Sequence, residues 1–166
     1  KQQNIRVFDN KYLNSGDLGY KDASGKIFIA GRAKDLIIRS GHNIDPAMIE
    51  NAISSHPAVS IAAAVGIPDI YAGELPICFV ELLPDCNISE KELLGHAKKL
   101  INERPAWPKI IKIIDKIPLT TVGKIFKPQL RCLATKLKVV DLLKTEFGIE
   151  NANINVNMGG TKGIIV

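Results

Sequence analysis

From Leu75 to Leu83 the chain is apolar at odd and even positions alike, with Glu81 as the interruption. Successive side chains of a strand point to opposite faces, so a run apolar on both belongs in the middle of a sheet covered on both sides. The segments around it supply that cover. Asp45 is placed to cap a helix whose first residue is Pro46, with Met48, Ile49, Ala52 and Ile53 on one face and His56-Pro57 ending it. Ser89 and Glu92 have capping-box spacing and open a second helix through about Asn102. Its Leu93, Leu94, Ala97, Leu100 and Ile101 face inward, and Arg104 to Pro108 stop it. Pro128 begins a long third helix, in which Leu130, Leu133, Leu137, Val140 and Phe147 keep helical spacing until Gly148 closes it.

Strands occupy the intervals. Tyr20 to Gly31 reads as a hairpin about Asp22-Ala23-Ser24-Gly25, with Lys26 to Ala30 as its returning strand. Leu36-Ile37-Ile38 reads as a short buried strand, Val59 to Ile67 as a longer one, and Lys109 to Asp115 as a strand leading into a loop. After Gly148, Ile154 and Val156 alternate with asparagines, and Gly159-Gly160 precedes Gly163 to Val166, which predicts a terminal hairpin. The expected fold class is α/β (α+β): a small mixed sheet flanked by helices and preceded by a β-hairpin.

A length of 166 residues suits one ordinary domain, or a small domain carrying a piece of its neighbour. No stretch approaches the ~20 unbroken apolar residues of a membrane span. The chain starts at Lys1 with no basic-then-apolar leader, which reads as a fragment or processed product. Cys78, Cys86 and Cys132 are odd in number and lack C-x-x-C spacing, which argues for a reducing, cytoplasmic setting and against a disulfide framework or zinc site. Cys78 and Cys132 fit small-hydrophobe roles in the interior. His42, His56 and His96 are widely spaced, and no metal site is expected from them.

The net charge of +5 is uneven: 12 of the 22 Lys and Arg residues lie between Lys98 and Lys144, against Glu103, Asp115 and Asp141. That block prefers anionic company. Aromatic residues, at 5%, do not interleave with it as a stacking platform for single strands requires, so nucleic acid is not the expected partner. Within the block, Pro118-Leu119-Thr120-Thr121-Val122-Gly123-Lys124-Ile125 sets a lysine on a glycine turn. Such a charge meets a phosphate or a carboxylate, or is simply a solvated surface lysine.

Four segments in order carry a family resemblance. Ser15-Gly16-Asp17-Leu18-Gly19, Gly31-Arg32-Ala33-Lys34-Asp35-Leu36-Ile37, Gly41-His42-Asn43-Ile44 and Pro118 to Ile125 resemble the late motifs of AMP-forming acyl-CoA synthetases, within the adenylate-forming (ANL) superfamily. The resemblance covers roughly Leu13 to Arg131 and implies the mobile C-terminal domain of such a ligase. On that reading residues 1–33 are the last segment of the N-terminal adenylation domain with hairpin and hinge, 34–131 the catalytic C-terminal domain, and 132–166 an extension. Asp17 and Arg32 would bind the nucleotide, Lys34 would be the hinge, and Ser40 and Gly41 would form the loop facing the pantetheine of CoA. Ser40 departs from a Gly-Gly pair common in relatives. From the residues alone, Asp17 equally suits an Asx turn at Gly16, and Arg32 a salt bridge with Asp35.

Lys124 aligns with the family's adenylation lysine. A carboxylate attacking the α-phosphate of ATP brings two anions together, and a preorganised ammonium offsets that repulsion. The implied cofactors are ATP, Mg2+ and CoA, the substrate a fatty or aromatic carboxylic acid, and the partner its own N-terminal domain. The basic stretch around Lys98 to Lys138 is then available to CoA phosphates. The chain alone is expected to be inactive as a ligase. The pattern ending at Lys124 also resembles a signature read by lysine acetyltransferases, whose product would lose the charge. The alternatives are a separate carrier-protein or partner-binding module derived from such a domain, and a basic nucleic-acid-binding domain.

Overall fold

The computed structural model describes residues 8–9, 12–150, 152–158 and 164–165. Lys1, the Gly159-Gly160 turn, Gly163 and Val166 lie outside the described residues. The chain divides into two units, Lys1–Leu36 and Ile37–Val166.

The first unit holds two hairpins. Strands β1 (Phe8–Asp9) and β2 (Tyr12–Leu13) pair antiparallel, as do β3 (Asp17–Lys21) and β4 (Ile27–Arg32), with a bulge between Leu18 and Gly19. The second hairpin is longer than the Tyr20-to-Gly31 reading, because Asp17 and Leu18 pair with Arg32 and Gly31. Tyr20 and Phe28 stack across it, with ring centroids 5.1 Å apart.

The second unit is a mixed five-stranded sheet between helices. Its strands are β5 (Ile37–Arg39), β6 (His42–Ile44), β7 (Val59–Asp69), β8 (Gly73–Leu82) and β9 (Ile110–Ile113). β8 is central as expected: β7 runs antiparallel along one side, β9 parallel to it at Ile77–Val80, and β5 meets its start at Gly73. The parallel step needs a crossover, and helix α2 (Glu90–Leu100) makes it. Helix α1 (Pro46–Ser54) joins α2 on one face, and α3 (Lys127–Phe147) covers the other.

Alternation along β8 divides the core in two. Cys78 and Val80 face α1 and α2 with Ile49, Ile53, Leu93 and Ala97, whereas Ile77 and Phe79 face α3 with Leu130 and Ala134. Both caps form as read: Asp45 Oδ1 accepts from Ala47 N at 3.0 Å, and Ser89 and Glu92 complete a reciprocal capping box.

Several details differ from the sequence reading. Only Ile37 of the Leu36-Ile37-Ile38 stretch is buried, since the strand starts at Ile37 and turns Ile38 outward. Helix α2 ends at Leu100, before Asn102, and Arg104–Ala106 form a separate 3-10 turn. Leu100 is exposed although its spacing from Leu93 and Ala97 puts it on the same side of the helix, at whose last position it stands. In α3 the stripe against the sheet is Leu130, Ala134 and Leu137, Cys132 is buried on another side of the helix beside Ile154, and Leu133 and Phe147 are exposed. The terminal hairpin is shorter than read: β10 (Asn157–Met158) pairs with β11 (Ile164–Ile165), while Ile154 is buried outside any strand. No helix of the described residues is long and apolar enough to cross a membrane.

Candidate active site

Lys124 ends a tight hairpin whose geometry follows from its residues. Gly123 adopts φ +77°, a conformation glycine reaches without steric cost. It lets Gly123 N donate to Thr120 O at 2.9 Å while Thr120 N donates to Lys124 O at 2.7 Å. This is the three-residue hairpin loop with a glycine bulge. Thr120 adds a bond the sequence reading missed, its Oγ1 accepting from Lys124 N at 3.1 Å. Below the loop, Leu119 bridges to Ile125, and Phe126 N donates to Pro118 O at 2.8 Å. Lys124 itself is exposed, and no ion pair engages it among the described residues.

Ser40 and Gly41 form the other loop. They are the central residues between β5 and β6, at φ +48° and +82°, which is the primed turn that suits a two-residue hairpin. Serine enters that region at some cost, so its backbone must be held by neighbours. Ser40 N donates to Ala72 O at 2.8 Å, and the Arg39 guanidinium donates to Pro105 O at 2.7 Å. A pocket of about 280 Å³ beside the turn is lined by Arg39, Ser40, His42, Arg104 and Pro105.

β8 separates these loops. Ser40 is bonded to the residue just before Gly73, whereas Ile117, where the Lys124 hairpin begins, donates its N–H to Glu81 Oε2 at 2.7 Å. Gly73 and Glu81 are eight residues apart in one strand, about 26 Å at the rise of an extended chain. The two loops therefore leave one rigid sheet from opposite ends.

In the first unit, Asp17 and Arg32 are cross-strand partners, and Arg32 Nε lies 3.4 Å from Asp17 Oδ1. Both are well exposed, so the pair adds little stability. The Asx turn at Gly16 belongs to Asn14, whose Oδ1 accepts from Gly16 N at 3.0 Å, and Asp17 does not make it. Lys34 is exposed in a one-turn 3-10 helix, Ala33–Asp35, just before the boundary between the units at Leu36.

The remaining chemistry-bearing groups are structural. Burial, and next the charge of Glu50, push the Cys78 thiol far above its ordinary value, so it is no nucleophile. Cys132 is buried and Cys86 exposed, all three with free thiols. His96 Nε2 lies 3.0 Å from Ser55 Oγ, a contact not visible in the sequence. Ser55 donates its proton to Ala52 O at 2.8 Å, so the pair closes the end of α1 and does not activate a hydroxyl. The basic block is dispersed: Lys98 and Arg104 lie 5.5 and 5.7 Å from the Trp107 ring, Lys112 pairs with Glu90, and Lys127 with Glu50.

Known proteins match this arrangement. The family model described as the AMP-binding enzyme C-terminal domain matches residues 48–124, ending on Lys124. The chain is 52% identical over 120 residues to the marinolic acid–CoA ligase of a Pseudoalteromonas species, covering 72% of this chain and 18% of that protein. It is 39% identical over 142 residues to the acetyl-coenzyme A synthetase of Pyrobaculum arsenaticum, covering 82% of this chain and 21% of that protein. Among solved structures, ATP-bound MatB from Rhodopseudomonas palustris superposes with a TM-score of 0.75 at 29% identity, over 82% of this chain and 27% of that one. The chain thus spans about a fifth to a quarter of the length of these relatives. With the sandwiched sheet, the glycine-turn lysine and these matches together, the chain belongs to the AMP-binding enzyme C-terminal domain family.

Proposed function

We propose that this chain is the moving C-terminal domain of an ATP-dependent acid–CoA ligase, presenting Lys124 in one half-reaction and the Ser40-Gly41 turn in the other. The observation that carries this reading is the placement of the two loops at opposite ends of β8. The points where the two loops are tied to β8, beside Gly73 and at Glu81, lie about 26 Å apart along one rigid sheet, so each loop serves in its own orientation of the domain.

In the first half-reaction a substrate carboxylate oxygen attacks the α-phosphorus of ATP, an O–P bond forms, and pyrophosphate leaves. The Lys124 ammonium meets the carboxylate and nucleotide oxygens and follows the charge into the transition state. Its exposed hairpin suits that task, because among the described residues no carboxylate pairs with the charge. In the second half-reaction the CoA thiol attacks the acyl carbon and AMP leaves. The positive φ of Ser40 and Gly41 exposes backbone for close approach to the pantetheine arm.

Asp17 and Arg32 are assigned to the nucleotide, a carboxylate suiting a ribose diol and a guanidinium the phosphate or ribose oxygens. Lys34 is assigned to the hinge, with residues 1–33 belonging to the preceding domain and 132–166 to an extension. ATP enters with its magnesium ion as substrate. Among the described residues no group of three or more His, Cys, Asp or Glu side chains could hold a metal ion. Three free thiols fit a reducing compartment such as the cytoplasm. A fatty or aromatic acid is the proposed substrate class.

The decisive experiment separates the half-reactions in the full-length ligase. Lys124→Ala is expected to lower acid-dependent pyrophosphate release by roughly 10²- to 10³-fold while thioester formation from supplied acyl adenylate persists. Equal loss of both would remove Lys124 from its role. Binding of a carrier protein by the chain alone, with no ligase activity in any longer form, would favour the separate module.

A further inference from the structure

The bonds within the Lys124 hairpin fix its internal shape, but not where it stands on the domain. Ile125 packs against the core on the α3 side, and two carboxylates from elsewhere pin the hairpin's ends. On the entering side, Glu81 of β8 accepts the Ile117 N–H at 2.7 Å, and Ile117 is buried against the α3 side of the sheet. On the leaving side, Lys127 Nζ lies 2.8 Å from Glu50 Oε1 of α1, with side chains only 15% and 20% exposed. Glu50 is itself held, since the same oxygen accepts from Ala64 N of β7 at 2.9 Å. The hairpin base between them is closed by the Phe126–Pro118 bond.

Local structure gives no reason for Lys127. A lysine at the first position of a helix faces the positive end of the helix dipole, which disfavours it. Burying its charge costs further desolvation, which the pair with Glu50 must offset. Glu81 holds Ile117 and Glu50 holds Lys127, so each carboxylate fixes a residue flanking the hairpin, beside the packing of Ile125 against the core on the α3 side.

We propose that Glu50 and Glu81 are positioning residues for Lys124, gripping the two ends of its hairpin so that the ammonium arrives at a fixed point. This inference rests on the reading of Lys124 as the adenylation lysine. The charge of a long side chain on a loose loop would be spread over many positions, and misplacement by about 1 Å can cost on the order of 10²-fold in rate.

The test uses Glu50→Gln and Glu81→Met, with Lys127→Arg as the conservative variant that keeps the pair. In the chain itself, amide exchange of Thr120 and Phe126, both bonded across the hairpin, should speed up by about tenfold or more in the first two variants. Unfolding midpoints and α2 amides report whether the fold as a whole is intact, and Lys127→Arg should stay near the parent. In the full-length ligase, kcat for adenylation should fall roughly 10- to 100-fold with little change in KM, while thioester formation from supplied acyl adenylate holds. Unchanged hairpin exchange, unchanged adenylation, or equal loss in both half-reactions would each overturn the proposal. If Lys124→Ala leaves adenylation intact, the reading of Lys124 fails instead, and the exchange measurement alone decides whether the carboxylates hold the loop. Should Glu50→Gln unfold the chain, Glu81→Met carries the same comparison from the other end.

Discussion

Asp22–Lys26 and Thr120–Lys124 are the same turn built twice. In the first, Asp22 N donates to Lys26 O at 3.0 Å and Gly25 N to Asp22 O at 3.0 Å, with Gly25 at φ +87°. In the second, the equivalent bonds are 2.7 and 2.9 Å, with Gly123 at φ +77°. Even the side-chain bond recurs, Lys26 N reaching Asp22 Oδ1 at 2.9 Å where Lys124 N reaches Thr120 Oγ1 at 3.1 Å. The difference is the charge on the first side chain. Asp22 sets a carboxylate beside its lysine's backbone, whereas Thr120 makes the same bond with a neutral hydroxyl. Turn geometry alone does not make a site; the electrostatics around it and its anchorage do.

The largest expected contrast is between the lysines themselves. Lys124→Ala should cost roughly 10²- to 10³-fold in adenylation, while Lys26→Ala should leave that rate within about twofold. A comparable loss in both, measured as pyrophosphate release by the full-length ligase, would break the distinction between the hairpins.

Next comes the first side chain. Thr120→Asp copies the Asp22 turn into the second hairpin, keeping an acceptor for Lys124 N but adding a negative charge close by. Adenylation should slow by about tenfold, as an opposed charge at a few ångströms in a partly solvated setting costs ~1–4 kcal/mol. Hairpin amides should remain protected. Full activity would mean that the neutrality of Thr120 is irrelevant.

The smallest effect is a pH dependence confined to the first hairpin. The Ser24 hydroxyl, followed by the backbone N–H groups of Lys26, Ser24 and Gly25, holds the Asp22 carboxyl below its ordinary value of 3.8. Because the folded value is depressed, the stabilisation is fully present above about 3.8 and is lost as pH falls through the lower folded value. Amide exchange of Ser24 and Lys26 should therefore accelerate in that acid window, and Asp22→Asn should abolish the dependence. Persistence of the effect in Asp22→Asn would assign it to another carboxylate.

Much of the fold was legible because its signals are local. Asp45-Pro46 and Ser89-x-x-Glu92 mark helix starts through bonds spanning two or three residues, and both form. The apolar run of β8 announced a central strand, since burial on both faces leaves no polar period. Helix ends and inward stripes were less legible: Leu100, Leu133 and Phe147 are exposed because the partner surfaces, not the helical period, select which side is covered.

The candidate site divides along the same line. Gly123-Lys124 stood out because a glycine turn carrying a charge is a pattern within eight residues. Thr120 was within reach as well, lying four residues before the lysine it supports. Glu50 and Glu81 were not, as they lie 77 and 36 residues from their partners Lys127 and Ile117. The Asp17–Arg32 pair depends on a strand register that a bulge shifts, which no spacing rule reports.

By itself, then, the sequence determined the types of the elements, their caps, the central strand and the turn that presents Lys124. These rest on backbone propensities and bonds between near neighbours. Only the tertiary structure decided that the Ser40-Gly41 turn and the Lys124 hairpin stand at opposite ends of β8, and that two distant carboxylates grip the second. Burial and charge pairing act through space, and their partners are chosen when the sheet and its helices close on one another.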